Sequence, residues 1–316
     1  MTTTIRFHQY GGPEVLTPED EQVGRPLEGQ VRLRHEAIGV NFIDTAFRRG
    51  IFPMPLPGVT GVEGAGIVEE TGPGVDFQVG DRVAYFLSPG SYAEVRLIKA
   101  GDLIATPEDI TSVEIATILT KGLTAWAALN GFHTLRAGET VLVQGASSNV
   151  GLLVARWARA RGARVIGTTS SSEKLAAIRD SVDYALLSSD ASMLERLKAI
   201  APAGVDVVYE FVGKATFDTS VAAVRNGGTI ATIGAASGQP DADPDALSRR
   251  NVRVVGGPMA QHLQGRTREA INAVFAAHRE GTFGDYKANV YPLRDAAAAH
   301  ADVSARRKLG PMVLVP

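Results

Sequence analysis

The fold of this chain is decided by residues 140–151, which read TVLVQGASSNVG. An apolar run of strand-forming residues, Thr140 to Val143, leads into a loop of small residues, and a helical pattern follows from Val150 to Arg161. Gly162 then stands where a left-handed helix cap is favourable. This stretch predicts a buried strand, a tight turn and a helix, which together begin a β-α-β unit.

The β-α-β rhythm repeats downstream of this stretch. Apolar strand patterns lie at 164–167, 184–187, 205–209, 229–234 and 252–255, and helical patterns begin at Glu173 and near Leu194. Continuous apolar strands that alternate with helices indicate a parallel sheet covered on both faces. We therefore predict a doubly wound α/β domain, of the Rossmann type, over residues 123–256.

The residues on either side of this domain have a different character. Short β-rich runs divided by Gly and Pro clusters fill residues 5–105, which predicts an irregular, barrel-like β domain. After Gly256 the chain offers one strong helix, Arg268 to His278, and a closing strand, Met312 to Val315. Because this tail is too small to fold alone, we predict that residues 257–316 return to complete a first domain begun by residues 1–122.

Composition excludes several classes of function. Lys and Arg total 32 against 34 Asp and Glu, so no basic field attracts nucleic acid. Nowhere do about 18 apolar residues run together, so we expect no membrane partner and a cytoplasmic location. The chain has no cysteine, which excludes disulfides, thiol nucleophiles and cysteine-ligated zinc. Its histidines form no H-x-x-H pair that would indicate a metal site.

The loop from Gly145 to Gly151 lies between a strand and a helix, where backbone N–H groups and the helix dipole bind phosphate. A G-x-G-x-x-G pattern laid over it keeps only the last glycine, but the alanine and serine in the other places are small enough to admit a pyrophosphate. An ordinary helix cap is the alternative. The predicted dinucleotide contacts are Ser147, Ser148, Asn149, Val150 and Gly151.

The end of the second strand bears on the choice of cofactor. In NAD-binding folds an acid at this place binds the ribose hydroxyls. Here residues 167–174 read GTTSSSEK, with no carboxylate at the strand end. Thr168, Ser170 and Lys174 can instead hold a 2′-phosphate, and we predict NADPH. The alternative is that a serine only caps the next helix and that Lys174 is solvated.

Five strings along the chain carry a family pattern: GGPEVL at 11–16, GVNFID at 39–44, GVEGAG at 61–66, VGDRV at 79–83 and KGLTAW at 121–126. Together they resemble the quinone oxidoreductase, or zeta-crystallin, branch of the medium-chain dehydrogenases. The resemblance covers essentially the whole chain. It implies a GroES-like catalytic domain built from both chain ends, a Rossmann domain between them and an active site in the cleft.

The resemblance also implies roles for single residues. Zinc-dependent relatives have cysteine where this chain has Asn41 and histidine where it has Val62, so it implies catalysis without zinc. It places Thr124 near the nicotinamide and Arg306 beside Lys174 at the 2′-phosphate, although Arg306 could equally be a surface arginine in a basic run. Asn41, Val212 and Gly234 complete the predicted cofactor contacts.

Asn41 and Asp44 are the candidate catalytic residues, and Asn41, Arg48 and Phe52 are the candidate substrate contacts. Asp44 and Arg48 are four residues apart and could instead form a structural ion pair on one helical turn. Phe52 stands where the family often has a tyrosine, and it cannot donate a proton. Donor-dependent enoyl reduction is therefore less favoured than quinone reduction.

These features predict direct hydride transfer from NADPH to a quinone or another electron-poor conjugated carbonyl, with water as a possible proton source. Two alternatives stay open: an enoyl-thioester or aldehyde reductase with the same cofactor, and a non-catalytic NADPH-binding protein. The resemblance further implies a homodimer joined at the sheet edge near Val252 to Val255, where a covering loop is the alternative.

Overall fold

The computed structural model describes residues 1–241, 243–305 and 308–316. These residues form two compact units. The first unit contains residues 1–120 and 286–316, and the second contains residues 121–285. Within the described ranges, no helix combines the length and the apolar character needed to cross a membrane.

Strands and helices alternate along much of the chain. The strands are β1 (Thr2–Arg6), β2 (Thr17–Glu21), β3 (Gln30–Val40), β4 (Gly64–Thr71), β5 (Arg82–Tyr85), β6 (Val95–Lys99), β7 (Ile104–Ala105), β8 (Thr140–Gln144), β9 (Arg164–Thr169), β10 (Tyr184–Leu187), β11 (Val205–Glu210), β12 (Val224–Thr232), β13 (Arg253–Val255), β14 (Asn289–Pro292) and β15 (Met312–Val315). The helices are α1 (Phe42–Arg48), α2 (Ser112–Ala127), α3 (Asn149–Ala160), α4 (Ser172–Ile178), α5 (Met193–Ile200), α6 (Phe217–Ala223), α7 (Pro244–Arg249), α8 (Met259–Leu263), α9 (Thr267–Arg279) and α10 (Ala296–Ala305).

The first unit is built on a sheet in the order β14-β15-β3-β4-β5-β7, with β6 also paired to β3 and with β1 and β2 as a separate antiparallel pair. The late strand β15 runs antiparallel to β3, with Leu314 opposite Ile38. Both side chains are fully buried in one apolar cluster with Phe7. The predicted β-rich domain built from both ends of the chain is confirmed.

The second unit contains a parallel sheet in the order β10-β9-β8-β11-β12-β13. The chain runs outward from β8 to β10 and then crosses to β11 on the other side of β8, which is the doubly wound topology predicted. Leu142, Ile166, Val208 and Ile230 are completely buried because helices cover both faces. This topology places a switch point at the carboxyl ends of β8 and β11, where ligands bind in such sheets.

Residues 257–285 lie in the second unit, although the sequence pattern assigned them to the return segment. The reason is the packing of α9 against α2. A Cβ atom added at Gly122 would lie 2.7 Å from a methyl group of Val274, so the side chain of Val274 occupies the space over this glycine. The part of the chain that returns to the first unit begins at residue 286.

The strand β13 lies at one edge of the parallel sheet, and the side chain of Val254 on it is 44% exposed. This is the edge at which a homodimer was predicted. Its exposure leaves room for a partner strand, and the homodimer stays a prediction.

Candidate active site

The loop after β8 is shaped by its own backbone. Gly145 has a φ of +76°, a conformation that favours glycine. The backbone N–H of Ala146 donates to the carbonyl oxygen of Thr168 on β9 at 2.9 Å, which ties the loop to the neighbouring strand. Ser148 then caps α3, because its hydroxyl accepts a hydrogen bond from the N–H of Gly151 at 3.1 Å.

Gly151 is the position in this loop where a side chain would not fit. A Cβ atom there would lie 2.5 Å from the carbonyl oxygen of Gly145 and 2.7 Å from the hydroxyl of Ser148. The start of α3 therefore packs directly onto the loop, while Ser147 and Asn149 are half-buried and Ser148 is exposed. A tight turn, small residues and the amino end of a helix of 12 residues form a cradle that fits a pyrophosphate.

Four buried side chains at the strand ends beside this loop are joined by hydrogen bonds. The hydroxyl of Thr168 donates to the carboxamide oxygen of Gln144, whose nitrogen donates to Ser220 at 3.3 Å. Ser220 in turn donates to the carboxylate of Glu210 at 2.6 Å. All four side chains are at most 1% exposed. The ends of β8, β9 and β11 are thereby fixed relative to one another.

Glu210 organises the loop that follows β11. One of its carboxylate oxygens accepts hydrogen bonds from the backbone N–H groups of Val212 at 2.8 Å and Gly213 at 3.0 Å, and from the hydroxyl of Thr216 at 2.8 Å. These bonds hold Val212 against the loop from Gly145 to Gly151, which we call the phosphate loop after its predicted role. A Cβ atom at Gly145 would lie 3.0 Å from a methyl group of Val212.

Gly234 belongs to the same edge of the sheet. Its N–H donates to the main-chain oxygen of Glu210 at 3.1 Å, and a Cβ atom on it would lie 2.7 Å from the carbonyl oxygen of Phe211. The structure therefore brings Val212 and Gly234 close to the phosphate loop. The sequence predicted both as cofactor contacts without predicting this arrangement. Whether they bind the cofactor stays a prediction.

The end of β9 carries the residues predicted to hold a 2′-phosphate. Ser147 bonds to the hydroxyl of Thr169 at 3.0 Å, which connects the phosphate loop to this strand end. Ser170 is exposed, and Lys174 is half-buried on the first turn of α4. Ser171 caps α4 by accepting from the N–H of Lys174 at 3.4 Å. The capping role is thus filled by Ser171, and the side chains of Ser170 and Lys174 are not needed for it.

Thr168 differs from the other residues predicted to bind the cofactor. It is 1% exposed, and its hydroxyl bonds to Gln144 and accepts from the N–H of Gly145 at 3.4 Å. Its position suits holding the loop in place better than contacting a ligand.

Thr124 and Arg306 are the remaining predicted cofactor contacts. In the second unit, the hydroxyl of Thr124 on α2 donates to the sulfur of Met259 on α8 at 3.2 Å. Arg306 lies outside the described residues.

The first unit holds Asn41 at the start of α1. The carboxylate of Asp44 accepts from the N–H of Asn41 at 2.8 Å and so closes the first turn of the helix. The side-chain nitrogen of Asn41 donates to one oxygen of Glu63 at 2.8 Å, and the N–H of Thr120 donates to the other at 3.0 Å. Glu63 is 1% exposed and lies over Gly39, where a Cβ atom would be 2.1 Å from its carboxylate.

Asp44 and Arg48 lie on one helix, as predicted, but both are buried, at 0% and 2% exposure. Arg48 donates to the carbonyl oxygen of Gly11 at 3.1 Å and to a ring nitrogen of His300 at 3.1 Å. The prediction that Arg48 contacts the substrate therefore needs correction, because its guanidinium is enclosed and engaged. Phe52 is 49% exposed, which suits the predicted contact with a flat acceptor.

Glu63, Gln144 and Glu210 were not singled out from the sequence. Each is a buried polar side chain: Gln144 and Glu210 end apolar strands, and Glu63 stands between Val62 and Gly64. An acid or amide that closes an apolar run just before a turn is the signal that could have found the last two.

Asn41 and Val62 stand where the resemblance implies zinc ligands in zinc-dependent relatives. Val62 offers no ligand atom, and the carboxamide of Asn41 already donates to Glu63. Among the residues that the structure describes, no group of three or more His, Asp or Glu side chains is arranged to hold a metal ion.

Comparison with known proteins identifies the family. Residues 27–108 match the family described as the alcohol dehydrogenase GroES-like domain, and residues 149–276 match the family described as zinc-binding dehydrogenase. The chain is 39% identical to a 2-haloacrylate reductase from a Burkholderia species, covering 100% of this chain and 99% of that protein. It is 36% identical to a quinone oxidoreductase from Pseudomonas aeruginosa, covering 100% of both.

Solved structures of similar fold lead to the same family. The crystal structure of Escherichia coli quinone oxidoreductase complexed with NADPH superimposes with a TM-score of 0.94 at 32% identity, covering 99% of this chain and 100% of that one. The fold and the site thus define a medium-chain dehydrogenase/reductase. Within that superfamily the chain belongs to the quinone oxidoreductase branch, and the predicted family and fold class are confirmed.

Proposed function

We propose that this protein reduces quinones or other electron-poor conjugated carbonyls with NADPH, by direct hydride transfer and without a metal ion. The braced loop from Gly145 to Gly151 carries this proposal, because it forms a pyrophosphate cradle at the switch point of a doubly wound sheet. The exposed Ser170 and the half-buried Lys174 support NADPH over NADH.

The oxidoreductase class and NADPH as cofactor also follow from the family. The related quinone oxidoreductase from Escherichia coli was crystallised with NADPH, and the 2-haloacrylate reductase is named as a reductase. The chain is accordingly an NADPH-dependent oxidoreductase, as its sequence predicted. Catalysis without zinc remains a proposal, supported by the donor atoms that Val62 and Asn41 fail to offer.

Bound NADPH supplies a hydride from C4 of its nicotinamide. Asn41 is the residue that we assign to orient the acceptor carbonyl or the nicotinamide amide. Its carboxamide donates one N–H to Glu63, which fixes the rotation of the amide and directs the second N–H as a donor toward an acceptor carbonyl or the nicotinamide amide. Asp44 holds the backbone of Asn41, and water is the proposed source of the proton.

The proposed substrates share one chemical property. Both a quinone and a 2-haloacrylate, the compounds in the names of the two relatives, contain a carbon–carbon double bond conjugated to a carbonyl or carboxylate. Such acceptors delocalise the arriving negative charge and do not require a Lewis acid. Because Arg48 is buried and engaged, it is not offered to a substrate carboxylate, which favours neutral acceptors.

The test is a panel of acceptors followed by NADPH oxidation. It contains benzoquinones and naphthoquinones, an α,β-unsaturated ketone, 2-chloroacrylate, crotonyl-CoA and small aldehydes. We expect the highest kcat/KM values with the quinones or the ketone. A preference for crotonyl-CoA or aldehydes would support the enoyl or aldehyde reductase instead, and NADPH binding without any turnover would indicate a non-catalytic protein.

Replacing Asn41 by alanine should lower kcat/KM for the best acceptor by about 10- to 100-fold, because a hydrogen bond to a charged or developing charged group is lost. Steady-state kinetics and calorimetric titration with NADPH measure the effect. Asn272, an exposed asparagine on α9, gives the matched control Asn272→Ala. The assigned role is wrong if Asn41→Ala changes neither turnover nor NADPH affinity.

Replacing Lys174 by alanine should raise the Kd for NADPH about tenfold and leave the Kd for NADH unchanged, because only NADPH carries the 2′-phosphate. Calorimetry with both nucleotides measures this. Lys198→Ala on α5 removes an exposed lysine from the same unit and serves as the control. Equal affinity of the unmodified protein for NADH and NADPH would contradict the 2′-phosphate site.

The homodimer is a further proposal that rests on the resemblance and on the exposed edge at β13. The cytoplasmic location, which we expect because no long apolar run occurs in the sequence, is another. Light scattering that finds a monomer would remove the first of them.

A further inference from the structure

A buried chain of hydrogen bonds in the first unit joins Arg48 to Asp44. Arg48 contacts Nδ1 of His300 at 3.1 Å, and Nε2 of His300 lies 2.8 Å from the hydroxyl of Tyr92. That hydroxyl lies 3.2 Å from Oδ2 of Asp44. All four side chains are at most 2% exposed, although they come from α1, from α10 and from the segment before β6.

The donor and the acceptor of each of these hydrogen bonds follow from the chemistry of the groups. A guanidinium only donates hydrogen bonds, so Nδ1 of His300 must accept from Arg48. The proton of the neutral ring is then on Nε2 and is donated to Tyr92, whose hydroxyl proton is donated to Asp44. Burial and the nearby charge of Arg48 lower the pKa of His300 to about 3, which keeps the ring neutral.

The two residues at the ends of this series of hydrogen bonds, Arg48 and Asp44, are also held by the backbone. Arg48 also donates to the carbonyl oxygen of Gly11 at 3.1 Å, which fixes the donor end. At the other end, Oδ2 of Asp44 accepts from Tyr92 and from the backbone N–H of Asn41, at 2.8 Å for the latter. The position of this one oxygen therefore affects the residue that begins α1.

We propose that Tyr92 and His300 are positioning residues for Asn41: they orient the carboxylate of Asp44, and Asp44 orients the start of α1. The positive Arg48 and the negative Asp44 are joined through two neutral groups, which explains why both can be buried on one helix. The inference rests on the proposed role of Asn41 in the reaction, and it adds two residues that do not touch the substrate.

A first experiment needs no substrate. Protein labelled with ¹⁵N at asparagine shows the side-chain amide signals, and the signal of Asn41 is assigned by its loss in Asn41→Ser. Tyr92→Phe, which removes only a hydroxyl, should shift or broaden the signal of Asn41. Tyr291→Phe is the matched control, because its hydroxyl also donates to a carboxylate of the first unit, Asp302 at 2.6 Å.

A second experiment measures coupling through Asn41. Tyr92→Phe should lower kcat/KM about fivefold in the unmodified protein, and the same change in the Asn41→Ala background should alter kcat/KM by less than about twofold. His300→Gln keeps an acceptor and a donor on neighbouring atoms and should retain most of the activity. His300→Leu breaks the chain and should behave like Tyr92→Phe.

The outcomes separate this inference from the proposed function. If the unmodified protein reduces no acceptor in the panel, the proposed function fails, while the amide signal of Asn41 still tests the positioning. An unchanged Asn41 signal in Tyr92→Phe, or an undiminished effect of Tyr92→Phe in the Asn41→Ala background, overturns the inference. Tyr92→Phe supplies this test even if His300→Leu does not fold.

Discussion

Replacing Glu210 by alanine is expected to lower the free energy of unfolding of the second unit by about 4 kcal/mol. The carboxylate of Glu210 is fully buried and accepts from Val212, Gly213, Thr216 and Ser220. Alanine would leave these donors without their acceptor, and each buried donor left unsatisfied costs about 1–3 kcal/mol unless water replaces the carboxylate. Thermal unfolding followed by circular dichroism should show a decrease in apparent Tm of about 10 °C.

Two control variants separate this role from general effects of charge. Glu210→Gln keeps the shape and one acceptor oxygen and should destabilise clearly less than alanine. Glu195→Ala removes an exposed glutamate on α5 of the same unit and should leave the Tm unchanged. NADPH affinity should fall with stability in Glu210→Ala, because Val212 would lose its position beside Gly145. A Tm within the error of the unmodified protein would refute the bracing role.

Acid should destabilise the first unit before most carboxylates titrate. Burial is the main cause that lowers the pKa of both His35 and His300 from 6.5 to about 3. Below pH 6.5 the unfolded chain therefore binds two protons that the folded unit excludes, and stability is lost as the pH falls from 6.5 towards 3. Each histidine lowers the free energy of unfolding by up to about 1.4 kcal/mol per pH unit, or together by about 4 kcal/mol at pH 5.

Urea unfolding at a series of pH values measures this loss. The double variant His35→Gln with His300→Gln cannot take up these protons, so its free energy of unfolding should vary much less between pH 7.5 and pH 5. Its lower stability at pH 7.5 does not affect the comparison of slopes. An equally steep pH dependence in both proteins would show that other groups cause the acid sensitivity.

The sequence predicted the parallel sheet well, because that part of the fold depends on local patterns. The central strands β8, β9 and β11 are mostly apolar and almost entirely buried, as strands covered on both faces must be. The phosphate loop was predicted for the same reason. A strand, a turn of small residues and a helix are adjacent in the chain, so their arrangement can be read from their order.

The sequence could not predict contacts between residues far apart in the chain. Asp44 and Arg48 are four residues apart, and a direct ion pair was the obvious alternative to catalytic roles. The structure instead joins them through Tyr92 and His300, and the latter lies 252 positions from Arg48. The hydrogen bond from Asn41 to Glu63 likewise joins residues that are not neighbours in the sequence. No local pattern marks such partners, since only the folded unit brings their segments together.

The order in which the strands are made has a consequence for biosynthesis. The central strand β3 of the first unit is translated early, but its neighbour β15 leaves the ribosome only after the entire second unit has been synthesised. Until then the nascent chain has an open strand edge, which is prone to pair with other chains. The second unit is contiguous and can fold before the first unit is complete. The yield of folded protein should therefore depend on chaperone protection of residues 38–40, the part of β3 that pairs with β15, during translation.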